Sequence, residues 1–114
     1  MLDELKNLGV DIDAGLNRFM GNRALYEKYL KKFPDTLKVN PLEVLNTDGP
    51  KAAAEVVHSL KGSTGNLSID ILFNAYSEIL GLLHDGQVQE ARIALLKISR
   101  TQNAIVECIK KHCC

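Results

Sequence analysis

Apolar residues recur at intervals of three and four along most of the chain, with charged residues between them. This period is that of an amphipathic α-helix. No segment shows the sustained alternation with β-branched residues that is typical of a strand. We therefore predict an all-α protein. The predicted helical segments are residues 1–8, 11–19, 22–33, 35–46, 48–67, 68–84 and 87–111. The segment 35–46 is expected to be short or broken, because Pro34 precedes it and Pro41 lies inside it.

Polar residues and glycines mark where several of these helices begin. A side-chain oxygen at the N-cap accepts a hydrogen bond from a free backbone N–H group of the first turn, and proline suits the first helical position. The candidate caps are Asp11 or Asp13 for the second segment, Asn40 before Pro41, Asp48 or Gly49 before Pro50, and Ser68 or Asp70 for the segment after that.

The connections between the long segments are short, which favours antiparallel neighbours. The sequence therefore predicts one domain over residues 1–114. In it, residues 22–112 form an up-and-down antiparallel four-helix bundle, and short helical pieces in residues 1–21 close one end. A chain of 114 residues can bury about two thirds of its unfolded surface, which is enough for one core. The apolar stripe of the third segment should belong to that core; its members are Leu25, Tyr26, Tyr29, Leu30 and Phe33.

Basic and acidic residues balance at 14 each. Without a positive excess, a nucleic-acid backbone or an anionic membrane is disfavoured as a partner. The N-terminus lacks the basic and apolar regions of a secretory signal, and no window approaches the roughly 18 apolar residues of a transmembrane helix. We expect a cytoplasmic monomer.

The three cysteines, Cys108, Cys113 and Cys114, lie within the last seven residues and cannot cross-link a fold. A reducing compartment is therefore expected. His112 adds one metal-capable group, but the sequence shows no second pair of ligands elsewhere. We predict no metal site and interpret these thiols as an incidental tail.

The helix predicted within residues 48–67 has two different faces. With about 100° of rotation per residue, its apolar face gathers Ala53, Val56, Val57, Leu60 and Thr64. His58 lies on the opposite side and should face water. Its neighbours on that side, at intervals of three, four and seven, are Lys51, Ala54, Lys61, Gly62 and Gly65.

The two glycines of this outer face need a physical reason, because each costs roughly 0.5 to 1 kcal/mol inside a helix relative to alanine. We interpret Gly62 and Gly65 as clearance that lets another protein or a transferred group approach the imidazole of His58. The alternative is that they relieve crowding against a neighbouring helix. Lys51 and Ser63 are candidate contacts at the rim, or surface residues without a role.

The run from His58 to Leu67, His-Ser-Leu-Lys-Gly-Ser-Thr-Gly-Asn-Leu, resembles the signature H-x-[LIV]-K-G of histidine-containing phosphotransfer (HPt) domains. That signature has a further small residue seven positions after the histidine. The matching positions are His58, Lys61, Gly62 and Gly65. Residues 15–33 also resemble the first long helix of that family, and residues 75–83 resemble the helix after the motif. The resemblance thus covers most of the chain.

The resemblance implies that His58 accepts a phosphoryl group and that Lys61 neutralises and orients it. The partner would be the aspartate-bearing receiver domain of a two-component pathway, which would supply Mg²⁺ and the catalytic carboxylates. The chain itself has no nucleotide-binding loop and no carboxylate cluster beside His58. The protein would therefore be a phosphoryl carrier without a cofactor and not an enzyme. Partner docking would involve Gly62, Gly65, Ala54, Lys51 and Ser63.

Three alternatives remain open. The chain could be the same module cut from a hybrid sensor kinase, or a bundle that docks receivers without accepting phosphate, although the intact His58 and Lys61 argue against the latter. Finally, Gly62-Ser-Thr-Gly65 matches the G-x-x-G of KH-type RNA clamps. That fold needs flanking strands and usually a basic surface, and the sequence predicts neither.

Overall fold

The structure, a computed structural model, describes residues 1–112, so Cys113 and Cys114 lie outside the described residues. Over this range the chain forms helices and no strand, and the all-α prediction is confirmed. The α-helices are α1 (Leu2–Asn7), α2 (Ile12–Arg18), α3 (Arg23–Lys32), α4 (Pro41–Asp48), α5 (Pro50–Asn66), α6 (Asp70–His84) and α7 (Val88–Lys111). A 3-10 turn, Phe33–Leu37, follows α3 directly.

Several helices begin where local side-chain chemistry predicts. Asp11, Asn22 and Asn40 cap α2, α3 and α4, and each side-chain oxygen accepts a hydrogen bond from a first-turn backbone N–H at 2.9 to 3.1 Å. The start of α5 differs, because Gly49 has no side chain to cap with and instead supplies a φ of +93°. Pro50 then occupies the first helical position.

The prediction for the start of α6 was wrong. Neither Ser68 nor Asp70 is the N-cap; that position is held by Ile69, and no side chain caps the helix. Ser68 is buried and adopts a φ of +56°. Its carbonyl oxygen accepts a hydrogen bond from the backbone N–H of Asp11 at 2.8 Å. Ser68 thus joins the α5–α6 connection to the start of α2, a contact that no local pattern reveals.

The helices pack around one core. Helices α5, α6 and α7 pack each against the next, and α4 packs against both α5 and α7. The 3-10 turn also contacts α5 and α7, while α1 lies against α2 and α7. The resulting molecule is elongated, with extents of 40 × 25 × 20 Å.

The N-terminal helices hold the α5–α6 connection in place. The hydroxyl of Tyr26 on α3 donates a hydrogen bond to the carbonyl oxygen of Leu67 at 2.7 Å. Gly15 on α2 lies directly against Tyr26, since a Cβ built at Gly15 would come within 2.2 Å of the tyrosine ring. The carbonyl of Gly9 accepts a hydrogen bond from Ile71 N at 3.3 Å. These contacts fix the end of α5 that carries the motif.

The apolar stripe of α3 is only partly buried, contrary to prediction. Tyr26, Leu30 and Phe33 are inside, but Leu25 remains 36% exposed and Tyr29 remains 43% exposed. A surface helix buries one stripe of its circumference, and these two residues, four positions apart, lie together along one edge of that stripe.

Candidate functional site

Helix α5 presents the two faces that its sequence predicts. Its buried residues are Ala53, Val57, Leu60 and Thr64, and Val56 is half-buried beside them. Thr64 is the polar member of this face, and its hydroxyl donates to the carbonyl oxygen of Leu60 at 2.8 Å. Because this face is fixed against the core, the opposite side of α5 turns outward. His58 lies there and is exposed.

The imidazole of His58 is open to solvent. Of the side-chain hydrogen bonds and ion pairs formed within residues 1–112, none involves His58. An unprotonated ring nitrogen carries the lone pair needed for nucleophilic attack. Such a nitrogen on His58 is accessible to a group brought by another molecule.

One shallow hollow beside His58 is suited to an anion; we call it the cationic hollow. It has a volume of about 300 Å³ and is lined by Arg18, His58, Lys61, Gly62, Gly65, Asn66 and Phe73. The lining includes two permanent cations and no carboxylate. Such a one-sided arrangement of charge attracts a negatively charged group.

Lys61 is positioned by an aromatic ring of the neighbouring helix. Its Nζ lies 5.8 Å from the ring centroid of Phe73 on α6, within the range of a cation–π contact worth about 0.5 to 1 kcal/mol at exposed sites. Lys61 is half-buried. The ammonium group is therefore held beside the hollow that contains His58.

The two glycines of α5 have different structural surroundings. A Cβ added at Gly62 would meet nothing within 4 Å, so this position is open space. A Cβ added at Gly65 would lie 3.0 Å from two ring carbons of Phe73. Packing of α5 on α6 accounts for Gly65, which is the alternative that the sequence left open. No intramolecular contact accounts for Gly62 among the described residues.

The other predicted docking residues divide between two further hollows. Lys51 and Ala54 line a hollow of about 420 Å³ on the other side of His58, together with Glu55, Leu80 and His84. Ser63 lines neither this hollow nor the cationic hollow. It lines a third hollow of about 520 Å³, which shares Arg18 and Asn66 with the cationic hollow.

Sequence reasoning missed three residues that line the cationic hollow: Asn66, which lies in α5 itself, and Arg18 and Phe73, which come from other helices. Arg18 reaches the cationic hollow from the last turn of α2, and Phe73 reaches it from α6. Neither lies within the motif. No spacing rule connects Arg18 with His58, because their proximity depends on how α2 packs.

Metal-capable side chains come together at a different place. Glu4 on α1 lies beside Cys108 on α7 and beside His112, which follows α7, with one ligand atom from each within 4.8 Å of the others. The sequence showed no second pair of ligands outside the C-terminal tail, and the structure places one carboxylate, that of Glu4, beside Cys108 and His112. Cys108 is also a buried residue of α7 and not part of an incidental tail.

Glu4 pairs with two basic side chains at the C-terminal end of α7. Its carboxylate accepts hydrogen bonds from Lys111 Nζ and His112 Nε2, both at 3.0 Å. These two hydrogen bonds lower the pKa of the Glu4 carboxyl to about 2, and the bond from Lys111 has the larger effect. Burial raises the pKa of the Cys108 thiol, and the nearby negative charge of Glu4 raises it further.

Comparison with family models, curated protein sequences and solved structures found no match. No helix within residues 1–112 is both long enough and apolar enough to cross a bilayer.

The Gly62–Gly65 run lies inside α5 and not in a loop between elements. It therefore does not form the exposed clamp loop that RNA binding of the KH type requires.

Proposed function

We propose that this protein is a phosphoryl carrier of the histidine-containing phosphotransfer type. The observation that carries the proposal is the exposed imidazole of His58 beside the cationic hollow, whose lining includes Arg18 and Lys61 but no carboxylate. The resemblance of the run from His58 to Leu67 to the HPt signature supports it. The proposed partners are receiver domains, which would bring the phosphoryl aspartate, the Mg²⁺ and the remaining catalytic groups.

The reaction would transfer a phosphoryl group between an aspartate of the receiver and His58. A ring nitrogen of His58 attacks the phosphorus of an aspartyl phosphate, an N–P bond forms, and the P–O bond to the aspartate breaks. The electron pair of that bond stays with the released carboxylate, and the second ring nitrogen can lose its proton to water. Transfer to another receiver reverses these steps.

Charge and access assign the supporting roles. Phosphoryl transfer needs in-line approach and neutralisation of the equatorial oxygens. Lys61 and Arg18 would face those oxygens from the cationic hollow, and the open space at Gly62 would admit the receiver.

We also propose that the α3–α4 segment, α5, α6 and α7 are the four members of an up-and-down antiparallel bundle in a cytoplasmic monomer. The tight connections 67–69 and 85–87, and the packing of α5 on α6 and α6 on α7, support this arrangement.

The test is transfer from receiver domains that have been phosphorylated with acetyl phosphate in the presence of Mg²⁺. The wild-type chain should acquire phosphate that is labile in acid and stable in base, as expected of a phosphoramidate. His58→Gln should acquire none, while His112→Gln, which changes a histidine that lines neither hollow beside His58, should be labelled normally. Label on His58→Gln would refute the proposal. Receiver binding without any label would identify a docking bundle instead.

A further inference from the structure

The meeting point of α1 and the last turns of α7 brings together three kinds of metal ligand. Cys108 lies on α7, and His112, the C-cap residue four positions later, continues the same face where the helix ends. Helix α1 packs against that face and contributes Glu4. Glu4 Oε2 lies 3.8 Å from Cys108 Sγ, and Glu4 Oε1 lies 3.0 Å from His112 Nε2.

These distances are close to those of a coordinated set. Zinc binds sulfur at about 2.3 Å and nitrogen or oxygen at about 2.0 to 2.2 Å, so tetrahedral ligands lie roughly 3.3 to 3.8 Å from one another. The three atoms here all fall within 4.8 Å of one another. Enclosing one ion would therefore require the widest of these separations to shorten by up to about 1 Å.

We propose that Glu4, Cys108 and His112 form a binding site for a zinc-type divalent cation. A thiolate, an imidazole and a carboxylate are ligands that Zn²⁺ uses, and three protein ligands leave the fourth tetrahedral position for water or another group. Binding releases the thiol proton of Cys108 to solvent, because the thiolate is the ligand.

The main competitor for the site is Lys111. Its ammonium group lies 3.0 Å from Glu4 Oε2, the same oxygen that approaches Cys108. The Lys111 side chain is 64% exposed and can turn into water when an ion takes its place. Removing this lysine should therefore leave metal affinity unchanged or raise it.

The consequence for the protein is a metal clamp between its first and last helices. Because the ion would bind only when α1 is docked on α7, binding should stabilise the folded chain. The site shares no residue with the hollows beside His58. Metal binding at this site would therefore be independent of the proposed phosphoryl transfer.

The test uses Co²⁺ as a probe on the full chain under a reducing agent that does not bind metal. We expect one equivalent to bind, with thiolate-to-cobalt absorption in the near ultraviolet, visible bands of tetrahedral intensity, and displacement by Zn²⁺. Glu4→Gln, Cys108→Ala and His112→Ala should each weaken binding by at least about tenfold, since even the loss of outer-shell partners commonly costs that much. Glu4 is exposed, so its variant should keep the far-ultraviolet circular dichroism of the wild type.

Three control variants separate this site from metal binding elsewhere on the chain. His84→Gln and the double variant Cys113→Ser/Cys114→Ser should bind Co²⁺ as the wild type does, and Lys111→Gln should bind at least as tightly. The absence of thiolate-to-cobalt absorption in the wild type would overturn the proposal. So would binding that survives Glu4→Gln unchanged, binding that is lost in the double variant, or binding that is weakened by Lys111→Gln.

Discussion

Gly62 offers a test in which folding stability and transfer rate should move in opposite directions. A Cβ at this position meets nothing within 4 Å, so the only folded-state effect of Gly62→Gln should be better helix propensity. Replacing an interior glycine gains roughly 0.5 to 1 kcal/mol. For a domain of this size the melting temperature should rise by about 2 to 6 °C.

The same substitution should slow phosphoryl transfer. If a receiver packs closely on α5 at Gly62, the added side chain must be accommodated at a cost of about 1 to 3 kcal/mol, as in overpacked cores. That cost corresponds to a rate lowered roughly 5- to 150-fold. The assay is transfer from a phosphorylated receiver, followed by rapid quenching, alongside thermal unfolding of the same sample.

Gly81 is the matched control. It lies in α6, is exposed and also has nothing within 4 Å of an added Cβ, yet it lines neither hollow beside His58. Gly81→Gln should raise the melting temperature and leave the transfer rate at the wild-type value. A destabilised Gly62→Gln would show that Gly62 has an intramolecular role, and a normal transfer rate would refute the clearance argument.

Three further predictions concern the contacts around the motif. Arg18→Gln should slow phosphoryl transfer without changing the urea midpoint, because Arg18 is exposed and contributes charge to the cationic hollow; an unchanged transfer rate would remove it from the site. Gly15→Ala should lower the free energy of unfolding by about 1 to 3 kcal/mol, since its Cβ would overlap the Tyr26 ring; urea denaturation checks this, and wild-type stability would contradict it. Burial raises the pKa of the Tyr26 hydroxyl to about 12 from an ordinary value of 10.0. The contribution of this neutral hydroxyl to the free energy of unfolding should therefore be complete below pH 10 and be lost as the pH rises toward 12. Tyr26→Phe should show less of this alkaline loss of stability, measured by denaturation at each pH.

Local chemistry explains why much of the fold was predictable. Asp11 and Asn40 cap their helices through bonds to residues two or three positions away, so the relevant information lies within one turn. The face of α5 that carries His58 was equally predictable, because burying one side of a helix determines which residues point outward. The phosphoryl role of His58 stays a prediction that the transfer assay must decide.

The failures have a common physical cause. Ser68 was predicted as a cap, but its carbonyl bonds to Asp11 in a distant part of the chain, and its backbone adopts a left-handed conformation there. Tyr29 belongs to an apolar stripe by spacing, yet no neighbouring helix covers it fully. In both cases a distant segment, and not the local pattern, decides the outcome.

The sequence by itself determined that the chain is helical, where most helices begin, and that His58 faces away from the core with Lys61 and Gly62 beside it. Only the tertiary structure brought Arg18 to that histidine, explained Gly65 by the ring of Phe73, and placed Glu4 next to Cys108 and His112. The division follows from the range of the forces involved. Helix period and capping act within a few residues, whereas the meeting of separate helices depends on how their apolar faces pack together.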